Sequence, residues 1–68
     1  MKMETRGIVV VSAVTSDSYD VPVAAGTNKK LALSNFERWK EHEKNNPYWD
    51  HSLGPNISHI DLWVELTE

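Results

Sequence analysis

Residues 6–15 read Arg6-Gly7-Ile8-Val9-Val10-Val11-Ser12-Ala13-Val14-Thr15. β-Branched residues dominate the run, which predicts a strand. Ile8, Val10 and Val14 fall on one side, and Val9, Val11 and Ala13 on the other, so both faces are apolar. A strand apolar on both faces belongs in the middle of a sheet and wants cover on both sides. One helix can cover only one face of a small sheet. The other face then calls for a second subunit or a partner.

The neighbours follow from this centre. Ser16-Asp17-Ser18 carries turn chemistry. Residues 19–25 alternate, with Tyr19, Val21, Val23 and Ala25 on one face and Asp20, Pro22 and Ala24 on the other. Pro22 has no N–H to give a ladder, so this is expected to be an edge strand. Residues 26–30, Gly-Thr-Asn-Lys-Lys, read as a polar turn. Ser34 and Glu37 have the spacing of a capping box, which predicts a helix from Asn35 to about Asn45, stopped by Asn46-Pro47. Phe36 and Trp39 share a face of that helix one turn apart. The rest of it is charged, through Glu37, Arg38, Lys40, Glu41, His42, Glu43 and Lys44, either a solvated face or a surface for a partner.

Residues 46–56 form a loop with two prolines and one glycine. Its Tyr48 and Trp49 either fold back as a lid on the core or serve as contacts. Residues 57–67 alternate again. Ile60, Leu62, Val64 and Leu66 make an apolar set, expected to be the core face. His59, Asp61, Trp63, Glu65 and Thr67 make the other face, on which Trp63 is either partly exposed or covered by a second subunit. The order strand, strand, helix, strand predicts an α+β fold of type ββαβ. Its three-stranded antiparallel sheet has order 2-1-3. The third strand is an open edge without proline, where two subunits could join sheets.

At 68 residues the chain is one domain, residues 1–68. A chain this short buries a limited core and usually adds disulfides, metal or oligomerisation. It contains no cysteine, which removes disulfides and thiolate metal sites and shifts weight to a dimer. The absence of cysteine also fits a reducing cytoplasm. Neither a membrane-spanning run nor a signal-peptide pattern is present at Met1-Lys2-Met3-Glu4.

Ten acids against seven bases give a net charge of −3, which argues against a general nucleic-acid binder and suits a partner with a basic surface. Tyr19, Phe36, Trp39, Tyr48, Trp49 and Trp63 could stack on bases, but no basic groove accompanies them. His42, His51 and His59 with Asp50 and Asp61 are the best metal-ligand set available, and their spacing fits no ligand motif. There is no phosphate-binding glycine loop and no nucleophile motif. We therefore expect no catalytic residue, no cofactor and no metal, and a binding protein instead of an enzyme. Three tryptophans exceed what one small core can hide, and Trp and Tyr anchor interfaces. Asp17, Asp20, Glu37, Glu41 and Glu43 could form an acidic rim around an apolar patch.

Leu31, Leu33, Ser34, Asn35, Phe36 and Glu37 resemble the pattern that opens the helix of the small uracil-DNA glycosylase inhibitors encoded by some bacterial viruses. The element order is also similar. The resemblance implies a homodimer that imitates DNA and blocks the host glycosylase. Acids would replace phosphates, and an apolar pocket at the dimer interface would hold the side chain that the enzyme pushes into the duplex. Phe36 would line that pocket, Trp39 would be a second wall, and Glu37 would contact the enzyme's DNA-binding groove. Lys40 stands where an aromatic is expected, and the 46–56 loop is longer than in that family. The partner-binding set is thus Phe36, Glu37, Trp39, Lys40, Glu41 and Trp63. The alternative is a small phage or bacterial adaptor that inhibits another host protein, such as a defence nuclease.

Overall fold

A computed structural model describes the backbone of residues 2–66 and the side chains of residues 3–63. Strand β1 (Lys2–Val14) leads through a tight turn to β2 (Asp20–Gly26), then helix α1 (Lys29–His42), then β3 (Asn56–Leu66). The sheet is antiparallel with order β2-β1-β3, as the doubly apolar centre demands. Thr67 and the side chains of Val64, Glu65 and Leu66 lie outside the described residues.

Thr15 closes the first hairpin. Its N–H donates to the Tyr19 carbonyl at 2.8 Å, its carbonyl accepts from Ser18 N–H at 2.9 Å, and its hydroxyl accepts from Tyr19 N–H at 3.1 Å. Three bonds on one residue tie the turn, while Ser18 takes the left-handed conformation (φ 70°) that such a tight reversal requires. On β2 the simple alternation breaks. Val11 faces Ala24 and Ser12 faces Pro22, so Val23 is the extra residue of a β-bulge. Val21 and Ala24, not Val21, Val23 and Ala25, therefore share the face of Val11 and Ala13. Pro22 does sit on an edge strand, where its missing N–H costs no ladder bond.

The helix starts six residues earlier than the capping box at Ser34 suggests. Asn28 is the N-cap: its Oδ1 accepts from Leu31 N–H at 2.9 Å, and its carbonyl accepts the first helical bond from Ala32 N–H at 3.0 Å. Asn caps as well as Ser, and Leu31, Ala32 and Leu33 are strong helix formers that need not wait for a second cap. Ser34 and Glu37 lie inside the helix and cap nothing. The helix stops at His42, three residues short of Asn45, where Glu43 N–H donates to the Trp39 carbonyl at 2.9 Å.

α1 lies over β2 and β1. Its buried stripe is Ala32 and Phe36, with Leu33 and Trp39 half-buried beside them. These pack on Val9, Val11 and Ala13, leaving Val11 fully buried. Gly26 lets helix and sheet approach: a Cβ there would stand 2.5 Å from Ala32 N. Asn35 Nδ2 adds a 2.9 Å bond to the Ala25 carbonyl.

The expected core face of β3 is not a core face. In the pairing register Val9 stands opposite His59, and Ile8 opposite Ile60. Because directly opposed residues share a face, Ile60 and Leu62 point away from the helix, with Ile8 and Val10. They are 40% and 45% exposed. Every described side chain of β3, from Asn56 to Trp63, is exposed. Alternation shows which residues go together. It does not say which side the helix will choose, and the short link from β2 carries α1 over the β1–β2 half of the sheet.

Candidate functional site

The helix and the long loop enclose one cavity of about 150 Å³. Ala13 of β1, Phe36, Trp39 and Lys40 of α1, and Trp49 with residues 50–55 of the loop line it. Its walls are aromatic by construction. Phe36 and Trp39 stack with centroids 5.6 Å apart, and Trp49 meets Trp39 edge-on at 4.7 Å. Both are favourable aromatic geometries. Tyr48 meets Trp49 edge-on at 4.9 Å from the solvent side and is itself 52% exposed.

The loop is held as a wall. Trp49 bridges Thr15, Asp50 N–H donates to the Val14 carbonyl at 2.8 Å, and Ser16 N–H donates to the Tyr48 carbonyl at 2.8 Å. In effect residues 48–50 extend the sheet past the end of β1. Of the two readings of the loop, Trp49 takes the lid and Tyr48 stays outside. At the helix end, His51 Nε2 lies 3.1 Å from the Glu43 carbonyl. A carbonyl only accepts, so Nε2 carries the proton there. Asn46 links the two sides, accepting from Tyr48 N–H at 3.0 Å and donating to Glu43 Oε2 at 3.2 Å.

The charged members of the wall are Lys40 and Asp50. The Ser52 hydroxyl and then the Ser52 amide donate to the Asp50 carboxylate and hold its pKa below the ordinary aspartate value; the nearby His51 adds a smaller push in the same direction. Asp50 is therefore a fixed negative charge beside an aromatic surface.

Three of the six residues expected to bind a partner, Phe36, Trp39 and Lys40, meet in this cavity. Glu37 and Glu41 lie on an exposed helix stripe outside it, and Lys44 Nζ approaches Glu41 Oε1 at 2.8 Å. Trp63 is 72% exposed on β3, away from the cavity lining. The structure adds Trp49 and Asp50, which sequence reasoning left in a loop of undecided role. Two prolines around an aromatic pair were the available signal that the loop had a fixed shape. Among the described residues no group of three His, Asp or Glu side chains is placed to hold a metal ion, and no helix is long and apolar enough to cross a membrane. No family model, curated protein or solved structure matches the chain.

Proposed function

We propose that the protein is a binding module whose aromatic socket receives one apolar side chain of a protein partner, and that it thereby inhibits that partner. The size of the socket carries this reading. Small-molecule sites run to several hundred Å³, whereas a cavity of about 150 Å³ suits a benzene-sized group. One leucine or phenylalanine side chain is a group of that scale. An ionised Asp50 on the wall and a net charge of −3 favour a partner with a basic surface.

The partner we propose is a uracil-DNA glycosylase, an enzyme that presents a basic DNA-binding groove and a protruding apolar side chain. The resemblance over Leu31–Glu37 supports it, as does the meeting of Phe36 and Trp39 in one socket. The protein would act as a DNA mimic, with Glu37 on the exposed helix stripe standing in for a phosphate. Titration into a uracil-excision assay tests this, with inhibition expected at stoichiometric amounts. Activity unchanged at micromolar excess over several bacterial glycosylases would remove the target. Phe36→Ala is a poor probe, because Phe36 is 6% exposed and its loss would cost about 3–5 kcal/mol of a small domain's stability. Leu53→Asp is better: Leu53 lines the socket and is 52% exposed, so a carboxylate there should weaken inhibition at least tenfold in a chain that keeps its helix by circular dichroism.

Lys40 on the socket wall favours a second reading, a small phage or bacterial adaptor against another host protein. Its ammonium would suit a partner with an acid beside the inserted side chain. Retention by an immobilised defence nuclease, with no effect on uracil excision, would decide for it.

A further inference from the structure

The socket is walled by aromatic rings and carries one fixed negative charge. Phe36, Trp39 and Trp49 all line it, and the planes of Trp39 and Trp49 stand at 84°, so a guest meets aromatic surface from two directions. Phe36 lies 27° from the plane of Trp39 and widens that wall. Asp50 and Ser52 line the same space. Both bonds from Ser52 go to Asp50 Oδ1, which fixes the carboxylate without using Oδ2. The face of an aromatic ring is the negative part of its quadrupole and attracts a cation within about 6 Å of the centroid. A neutral guest would take water from the Asp50 carboxylate and return nothing, whereas a cation replaces what that water gave.

We propose that the socket binds a quaternary ammonium group, the trimethylammonium head of a small solute of the choline type. Size allows it. A cavity of about 150 Å³ is of the scale that admits benzene, and a trimethylammonium head has fewer heavy atoms than benzene. Chemistry then chooses among cations. A primary ammonium is compact and strongly hydrated, and one carboxylate among aromatic walls would leave most of its donors unpaired. A guanidinium brings five N–H donors and has the same difficulty. A quaternary ammonium donates no hydrogen bond and spreads its charge over methyl groups, so ring faces and one carboxylate satisfy it. Lys40, also on the wall, opposes a cation, but it is exposed, and its flexible stem can carry the ammonium into water. Asp50 is half-buried and held in place. A guest in the socket would exclude a partner's inserted side chain, and only that consequence rests on the function proposed above.

The indole N–H resonances of Trp39, Trp49 and Trp63 read this binding in the full chain. Choline chloride should shift Trp39 and Trp49 saturably. It should leave Trp63, which is 72% exposed and away from the socket, in place. Dimethylbutanol, the carbon isostere of choline, has the same shape and no charge, and at equal ionic strength it should bind about fivefold or more weakly. Asp50→Asn should weaken choline by about the same factor and leave dimethylbutanol unchanged, and Lys40→Gln should tighten choline. The comparison of the two solutes on the wild type carries the test if Asp50→Asn loses its helix by circular dichroism. No saturable shift at Trp39 and Trp49, or equal movement of all three tryptophans, overturns the site. Equal affinity for choline and dimethylbutanol overturns the ammonium preference and leaves an apolar socket. Neither result bears on the uracil-excision assay, so failure here is distinct from failure of the proposed target.

Discussion

Asp50 shows how a single half-buried residue gains a defined charge. Its carboxylate accepts from both the hydroxyl and the amide of Ser52, and these bonds favour the ionised form. A carboxylate whose folded pKa is depressed contributes stability that is present above its unfolded pKa and is lost as pH falls through the folded value. Ser52→Ala removes the larger of the two bonds and leaves the amide. The Asp50 pKa should rise part of the way to the ordinary aspartate value, measured by the carboxyl carbon shift over an acid titration. An unchanged midpoint would show that the amide alone sets it. In the wild type, any loss of stability from this residue should be confined to strongly acidic pH.

At the scale of elements, the helix start separates two caps that look equivalent in the sequence. Asn28→Ala removes the acceptor for Leu31 N–H and should cost about 1 kcal/mol. Ser34→Ala replaces an exposed mid-helix serine with the best helix former and should be neutral or stabilising by a few tenths of a kcal/mol. Urea midpoints for the two variants decide the matter: equal losses would return the start to Ser34. The misreading has a physical origin. Lys29 and Lys30 stand in the first turn, where the helix dipole disfavours cations, and no acid stands there to announce the start. Leu31 to Leu33 outweigh that penalty because Ala32 is buried against the sheet beside Gly26. The element order, the central position of β1 and the pairing of Phe36 with Trp39 were legible, because each follows from alternation or helical spacing. The socket was half legible. Phe36 and Trp39 lie on a periodic element, whereas Trp49 is aimed by the hydrogen bonds that its neighbours Asp50 and Tyr48 make with Val14 and Ser16, which no local pattern encodes.

The whole molecule is extended for its size. Its radius of gyration is 14.2 Å and its extents are 44 × 20 × 16 Å, whereas a compact domain of this length would have a radius near about 11 Å. The cause lies in the sheet. β2 pairs only with Val9–Val14, so Lys2–Ile8 and the matching end of β3 form a two-stranded ribbon beyond it. A lone two-stranded ribbon is marginal in water, and the buried core among the described residues is only Val9, Val11, Ala13, Ala32 and Phe36. A second subunit joined at the open edge of β3 would make that strand interior to a wider sheet. Hydrogen exchange can read this distribution. Amides of residues 57–63 should gain protection as protein concentration rises through the dimerisation range, because association stabilises by mass action. Those of residues 2–4 and 64–66 should exchange at least tenfold faster than those of Val9–Val14 at every concentration. Uniform, concentration-independent protection along β3 would mean that the ribbon supports itself, and the extended shape would then need no second copy.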